Sequence, residues 1–280
     1  MKTIFCSALL LPFDGELHEG THRTIGKFML SARVHFSQLL KVIFLWCMFV
    51  PLVYAGAADY VYTTSIEQGE RELGIKLGSA APVDGLGQQV AGIGLGYGVT
   101  DHWFTELYLK REHTGGQRAI LAEWENKWLF TEAGQYLLDL GMLAELELPL
   151  SGAAPWELRV GPLLQAEIGK FQLNGNLLFV RAFGMKDETG VPFSTNLASQ
   201  WQIKYRWMPS LEFGMQGLGE FGKWDSWSQL AAQSHRMGPA IFGKIALGQR
   251  QTIKYNAAWL VGVSAAAPAH TLRGKIEYEF

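Results

Sequence analysis

Charged residues at alternate positions are the part of this sequence whose types and spacing point most directly to chemistry. Between residues 106 and 167 most of them are carboxylates, and between residues 204 and 275 most are amines or guanidinium groups. The acidic set comprises Glu106, Glu123, Glu125, Asp139, Glu145, Glu147, Glu157 and Glu167. The basic set comprises Lys204, Arg206, Arg236, Lys244, Lys254, Arg273 and Lys275. Both sets place charged side chains at alternate positions. This arrangement indicates that the protein selects solutes by their charge.

Two arrangements of these charges are compatible with the sequence. On facing walls of a narrow space of low dielectric, the two sets would create a transverse field that orients dipolar or zwitterionic solutes. Closed on one another as salt bridges, they would instead fill that space, because a buried charge requires a partner. The sequence leaves both arrangements open.

Motifs for covalent, metal or nucleotide chemistry are missing after residue 57. That region contains no G-x-S-x-G, H-E-x-x-H or P-loop pattern. Four glycines, Gly92, Gly94, Gly96 and Gly98, are spaced strictly by two, which does not fit the G-x-G-x-x-G nucleotide loop. We interpret them as small residues on one strand face that leave room for bulky neighbours. No cofactor and no enzymatic activity are therefore predicted.

Histidines near predicted strand ends provide one alternative to that conclusion. His113, His235 and His270 are predicted at one rim of the fold, with Ser234 and Ser264 nearby in sequence. A Ser–His pair at such a rim would indicate an enzyme that modifies lipid or lipopolysaccharide, provided that the two side chains share a hydrogen bond. Histidines at a rim more commonly face water, so this hypothesis ranks below the others.

The elements that must position these residues follow from an alternation of apolar and polar side chains. From Leu138 to Leu148, for example, every second residue is apolar, and the residues between include Asp139, Glu145 and Glu147. Successive side chains of a strand point to opposite faces, so this period predicts strands whose faces meet different environments. We predict twelve strands, near residues 70–78, 88–99, 102–111, 118–130, 136–148, 155–168, 170–182, 195–207, 210–221, 235–247, 251–263 and 270–280.

The connections between these strands alternate between short and long. Tight turns are predicted at 99–102, 168–170, 208–210 and 248–250, and longer loops at 79–87, 112–117, 149–155, 184–195, 222–234 and 264–269. Aromatic residues gather near the tight turns, as Trp and Tyr do at a membrane interface. Strands of about 9–11 residues span a bilayer when tilted, and bacterial barrels have short periplasmic turns and long external loops.

These patterns predict an all-β fold: a transmembrane, antiparallel, up-and-down β-barrel of about twelve strands. The alternative is a soluble β-sandwich or lipocalin-like barrel, whose apolar faces would point inward to a core. Twelve apolar faces would overfill such an interior. With 24 Lys and Arg against 26 Asp and Glu in 280 residues, the chain has no basic excess for a nucleic-acid partner.

The region before the strands carries the features of an export signal. Residues 29–57 are predicted to be a signal peptide, with an apolar core within residues 41–54 and cleavage after Ala57 or, as a second choice, Ala55. Residues 1–28 are an N-terminal extension or a misassigned start, and residues 58–280 form the barrel. Both cysteines, Cys6 and Cys47, precede the predicted cleavage site, so thiol chemistry is excluded from the exported product.

Two short segments resemble known outer-membrane proteins. The chain ends with Ile276, Tyr278 and Phe280 at alternate positions, which resembles the C-terminal β-signal recognised by the outer-membrane assembly machinery. The segment Tyr97–Trp103 resembles a turn of uncharacterised transporter-like barrels, including the type associated with phenol-degradation pathways. The first resemblance implies a Gram-negative outer-membrane protein that binds this machinery, and the second implies no particular substrate.

The function that the sequence favours is a passive outer-membrane channel or facilitator for small hydrophilic solutes. Selectivity would come from the two charge sets and from the loop at 222–234, which carries Trp224 and Trp227. The main alternative is a plugged structural or adhesive barrel that acts through its external loops. Expected partners are outer-membrane lipid, lipopolysaccharide and an unidentified small solute.

Overall fold

The alternation that begins near residue 70 forms long antiparallel strands. The structure is a computed structural model that describes residues 59–81, 87–132, 134–152, 154–184, 194–248 and 251–280. Its strands are β1 (Arg71–Ala81), β2 (Gln88–Thr100), β3 (Trp103–Thr114), β4 (Gln117–Leu129), β5 (Asp139–Ser151), β6 (Trp156–Ile168), β7 (Phe171–Phe183), β8 (Thr195–Met208), β9 (Leu211–Lys223), β10 (Ser226–Trp227), β11 (Ser234–Gly248), β12 (Gln251–Gly262) and β13 (His270–Glu279). All but the two-residue β10 correspond to the twelve predicted strands. The predicted signal peptide, its cleavage sites Ala55 and Ala57, and residues 1–28 lie outside the described residues.

The twelve long strands close into a ring. Each pairs antiparallel with its neighbour, with β9 pairing with β11 and β10 folding back on the end of β9. The last strand pairs with the first over ten residue pairs, from Glu72 opposite Glu279 to Ala81 opposite His270. Closure leaves no unpaired strand edge, which is the condition for a sheet to exist in hydrocarbon. Within the described ranges, no helix has the length and apolar character needed to cross a membrane.

The two faces of the ring are inverted relative to a soluble protein. Outward-facing Leu95, Leu107 and Leu272 are 57–64% exposed. Inward-facing Glu106 and Glu125 are at most 1% exposed. Apolar side chains therefore cover the exterior and charged side chains fill the interior, which confirms the transmembrane barrel and contradicts the soluble alternative.

The connections follow the predicted alternation with one correction. The sequence predicted a long loop at 112–117, but β3 and β4 are joined by Gly115 and Gly116 alone. Both glycines have positive φ values, 58° and 86°. Two consecutive residues with positive φ form the tight turn whose twist matches a β-hairpin, so the two strands continue to the turn. At the opposite end, the β4–β5 connection at 130–138 is longer than the other turns there.

Aromatic rings form a band near the tight turns. Phe171 and Tyr205 lie 5.2 Å apart, Tyr205 and Phe213 lie 5.5 Å apart, and Tyr278 stacks on Phe280 at 5.6 Å. Nearby, the outward-facing amide of Asn126 accepts a hydrogen bond of 3.1 Å from the indole of Trp103. That bond, and the 6% exposure of Asn126, explain how a polar residue is tolerated on an apolar face.

Glycines on the lumen face of β2 make room for large side chains on β3. A Cβ on Gly94 would lie 2.5 Å from Cδ1 of Tyr108, and one on Gly96 would lie 2.6 Å from Cζ of Phe104. Tyr108 is 1% exposed and Phe104 2%. The predicted role as space for bulky neighbours is therefore confirmed for Gly94 and Gly96, whereas at Gly98 the closest group is the backbone carbonyl of Glu67.

Replacing Gly94 by Ala is expected to destabilise the barrel by about 1–3 kcal/mol, because the added methyl overpacks the Tyr108 ring. Urea unfolding in lipid vesicles, followed by tryptophan fluorescence, measures the loss. The matched control is Gly175→Ala on β7, where a Cβ would meet no atom within 4 Å. Equal stability of the two variants would contradict the packing argument.

Candidate functional site

A short stretch of chain upstream of β1 lies inside the barrel. We call residues 59–64 the lumen segment; Tyr60, Val61, Tyr62 and Thr64 are all at most 9% exposed. Val61 packs with residues of β9, β11 and β12, including Leu218, Phe242 and Leu260. Tyr60 and Tyr62 pack with the β5–β7 wall, at Leu143, Leu163 and Leu178. The segment therefore bridges different parts of the wall and occupies the lumen.

Hydrogen bonds fix the lumen segment through side chains of the wall. The Tyr60 hydroxyl donates to Glu125, with distances of 2.7 and 2.6 Å to its two carboxylate oxygens. The Tyr62 hydroxyl donates to Glu145. The Tyr62 backbone donates to Oε1 of Gln200 at 3.3 Å and accepts from Nδ2 of Asn176 at 3.0 Å. The segment has no regular secondary structure, so these contacts replace a strand ladder.

Three residues of the predicted acidic set meet lysines of β1 and β3. Nζ of Lys76, on β1, lies 2.8 Å from Glu123 and also contacts Glu125. Lys110 on β3 contacts Glu123 and Glu147. Lys76 also lies 3.6 Å from the centre of the Tyr108 ring and 4.4 Å from that of Tyr60. Carboxylate oxygens of Glu123, Glu125 and Glu145 approach within 4.8 Å of one another, but these lysines and tyrosines already bind them, so we assign no metal.

The predicted basic set divides between the two ends of the lumen. Near the tight turns, Lys204 pairs with Glu212 at 2.9 Å, Arg206 with Glu167, Lys244 with Glu279 at 3.5 Å, and Lys254 with Glu70 at 2.7 Å. Lys275 lies 3.5 Å from Glu106 and contacts Glu277. Arg236 and Arg273 lie toward the long loops. Oppositely charged groups thus neutralise one another locally, and the transverse field between two walls stays a prediction.

The remaining acidic-set residues lie at the two ends. Asp139 accepts a hydrogen bond of 3.1 Å from the backbone of Gly134, near the tight turns. Glu157 accepts one of 2.7 Å from Nε of Arg159, near the long loops.

Neutral amides cover the β6–β9 part of the lumen wall. Asn174 donates to Gln165 at 2.8 Å, Gln172 donates to Asn174 at 2.9 Å, and Gln202 donates to Asn174 at 3.2 Å. All four side chains are buried. The lumen wall predicted from the sequence was described by its charged residues, and the amide surface was missed, although its members also recur with a period of two.

Two polar cavities lie in the lumen. The outer cavity, toward the long loops, has a volume of about 400 Å³ and is lined by Asp59, Glu157, Arg159, Glu220 and Arg236 among others. The inner cavity, toward the tight turns, has a volume of about 760 Å³. They share no lining residue: Asp59 lines the outer cavity, whereas Tyr60 and Thr64 line the inner one. The lumen segment therefore extends from one cavity to the other.

Asp59 anchors the outer end of this segment. Its Oδ1 lies 2.8 Å from Nη1 of Arg159, and its Oδ2 lies 3.9 Å from Nη2 of Arg236. Two guanidinium groups at these distances favour the negatively charged carboxylate of Asp59.

The predicted rim residues do not form a nucleophile–base pair. A ring nitrogen of His235 lies 2.7 Å from Oε1 of Gln233, and Ser264 Oγ accepts a hydrogen bond from the His235 backbone at 2.8 Å. His270 packs 5.9 Å from Trp259. Within the part of the chain that the structure describes, no side-chain hydrogen bond joins His113, His235 or His270 to Ser234 or Ser264. Ser234 instead lines the outer cavity.

The remaining predicted sites lie on the exterior. Trp224 packs 6.1 Å from Phe179, and Trp227 packs 4.8 Å from Phe221, with both tryptophans more than half exposed. Ile276 and Phe280 of the C-terminal segment are 45% and 50% exposed on the outer side of β13, beside the half-buried Tyr278. Recognition of that segment by the assembly machinery stays a prediction.

Comparisons with known proteins bear on the fold. No protein-family model and no curated protein matches the sequence. Among solved structures, an outer membrane channel from Pseudomonas putida F1 is 12% identical, with a TM-score of 0.54 over 80% of this chain and 98% of that one. Two porins match with lower TM-scores. The KdgM porin is 6% identical, with a TM-score of 0.48 over 75% of this chain and 98% of that one. The NanC porin is 10% identical, with a TM-score of 0.49 over 74% of this chain and 98% of that one. With its apolar exterior and closed ring of twelve strands, the chain has the fold of a bacterial outer-membrane β-barrel.

Proposed function

We propose that this protein is an outer-membrane channel for small hydrophilic solutes and that the lumen segment is its gate. The observation that carries the proposal is the position of this segment between two polar cavities, one at each end of the barrel. A segment held by side-chain contacts can leave without breaking the strand ladder of the barrel. Its departure would join the two cavities.

The lining supports passage of polar solutes. Buried amides on β6–β9 and ion pairs elsewhere offer both donors and acceptors to a solute that sheds part of its hydration shell. Twelve strands enclose an interior wider than that of an eight-stranded barrel, whose side chains are just sufficient to fill it. Selectivity from opposed acidic and basic walls remains part of the proposal.

A structural or adhesive barrel is the second candidate, and a specific observation favours it. The lumen segment buries apolar surface against Leu218 and Leu260 on one side and Leu143 and Leu163 on the other. Such contacts are typical of a permanent core. The two functions differ in one property, which is whether the segment moves while the barrel remains folded.

A conservative double variant tests the channel. Replacing Tyr60 and Tyr62 by Phe removes the hydroxyls that donate to Glu125 and Glu145 but keeps both rings. Each lost bond to a charged group weakens the closed state by about 1.5–3 kcal/mol. We expect liposomes containing the double variant to take up glycerol and glucose several-fold faster than liposomes containing the unaltered protein.

The control for this test is Tyr136→Phe, which removes the hydroxyl of an exposed tyrosine on the β4–β5 connection. Its uptake rate should equal that of the unaltered protein. Uptake by the double variant no faster than by protein-free liposomes would reject the channel and leave the structural barrel.

A further inference from the structure

We propose that Arg159 and Arg236, which line the outer cavity, form a binding site for small organic carboxylates together with the nearby buried Arg273. Asp59 occupies this site as an internal substitute while the gate is closed. This inference rests on the proposed function and names the class of solute that the gate admits. Asp59 is the one carboxylate on the lumen segment, residues 59–64.

Two of the arginines approach Asp59 from different walls. Arg159 is on β6 and Arg236 is on β11, and each lies within 4 Å of a different carboxylate oxygen of Asp59. Arg159 contacts its two closest acids through different nitrogens. Its Nε lies 2.7 Å from Oε1 of Glu157, and its Nη1 lies 2.8 Å from Oδ1 of Asp59. Withdrawal of Asp59 would therefore free the Nη1 position without disturbing the bond to Glu157.

The third arginine lacks an acidic partner. Arg273 is 6% exposed, its Nη2 donates to Gln216, and its Nε has no hydrogen-bond partner. It forms no ion pair with any residue in the described ranges. It does not line the outer cavity, but it interacts electrostatically with Asp59 and Arg236. Thr271, its neighbour on the same face of β13, accepts a bond of 3.4 Å from Arg236. A buried guanidinium with an unused donor is costly unless an anion uses it at some stage.

The chemistry of the site favours a carboxylate. The planar fork of a guanidinium matches the two oxygens of a carboxylate, and the group that now occupies the position is itself one. The outer cavity, at about 400 Å³, falls within the range of roughly 300–1,000 Å³ usual for small-molecule sites. Glu157 and Glu220 line the same cavity and would oppose a multiply charged anion. The expected ligand is thus a small acid with one carboxylate and a polar body.

Competition between Asp59 and an external acid gives the test. The full chain, folded in detergent, is titrated by calorimetry with D-gluconate, and with sorbitol as the matched polyol without a carboxylate. Asp59→Asn removes the internal competitor and keeps the side-chain shape. We expect this variant to bind gluconate on the order of tenfold more tightly than the unaltered protein, with no gain for sorbitol. Adding Arg273→Gln to Asp59→Asn should abolish the gain.

A matched control removes one negative charge elsewhere. Glu132→Gln alters an acid whose side chain is 61% exposed on the β4–β5 connection, and it should leave gluconate affinity unchanged. Equal gluconate affinity in Asp59→Asn and the unaltered protein would overturn the inference. An equally large gain for inorganic phosphate would also overturn it, because the site would then be unselective among anions.

The inference and the proposed function fail in different ways. Liposome uptake of glucose tests the channel without any carboxylate, so glucose uptake with no gain in gluconate affinity would reject the site alone. A gain in gluconate affinity without glucose uptake by the Tyr60 and Tyr62 double variant would keep the site and reject the channel.

Discussion

Deleting residues 59–64 is expected to raise single-channel conductance in planar bilayers by about tenfold or more, because the segment that fills the lumen is removed. The deletion takes away both tyrosine anchors, the apolar contacts of Val61 and the carboxylate of Asp59. The strand ladder between β1 and β13 begins only at Glu72, so the ring itself stays closed. The two cavities would then be continuous.

The measurement compares current steps of the deleted and unaltered proteins at equal protein-to-lipid ratios. Folding of both is checked by the shift of the unheated band on denaturing gels. A control replaces Leu230, 72% exposed in the loop between β9 and β11, by Ser, and conductance should not change. Steps of the same small size in the deleted and unaltered proteins would show that the wall charges, rather than the segment, close the lumen.

Replacing Lys76 by Met is expected to lower the free energy of unfolding by about 3–5 kcal/mol, the range observed when one partner of a buried ion pair is removed. Lys76 is 2% exposed, and its ammonium contacts Glu123 and Glu125, which are 4% and 0% exposed. Without it, Lys110 is the remaining cation that contacts Glu123. Methionine keeps most of the side-chain volume of lysine, so the decrease in the free energy of unfolding measures the effect of removing the charge.

Urea unfolding in vesicles measures this change. The control is Lys223→Met at the exposed end of β9, which should cost less than about 0.5 kcal/mol. Adding Glu125→Gln to Lys76→Met should restore part of the lost stability, since one uncompensated carboxylate is then removed. A Lys76→Met variant as stable as the control would mean that the buried carboxylates are neutral and that this ion network does not hold the wall together.

Taken together, the two proposals describe a gate that responds to its own solute. A carboxylate that binds the arginines more tightly when Asp59 is absent necessarily favours the open arrangement of the segment. The energy available for opening is limited to the difference between the two affinities, so a weakly bound acid would open few channels.

Local pattern was sufficient to predict the strands. The alternation in Leu138–Leu148 is a consequence of the pleat, which places neighbouring side chains on opposite faces whatever lies across the ring. For that reason all twelve long strands lie within a few residues of their predicted bounds. The exception at Gly115 and Gly116 arose because polar residues near a turn were assigned to a loop, whereas the paired glycines allowed a tight hairpin.

The contents of the lumen depended on the tertiary structure. The sequence cannot show that Lys76 of β1 meets Glu123 and Glu125 of β4, because that contact exists only after the ring closes. The alternation also could not distinguish Tyr60 and Tyr62 from residues that face lipid. The sequence pattern of apolar side chains is the same whether lipid or the lumen wall surrounds them. The alternating pattern of a strand is set within the strand itself, because the pleat turns successive side chains to opposite faces. The gate, the paired charges and the arginine site instead depend on contacts between residues far apart in sequence, such as Asp59 and Arg159, which are 100 positions apart.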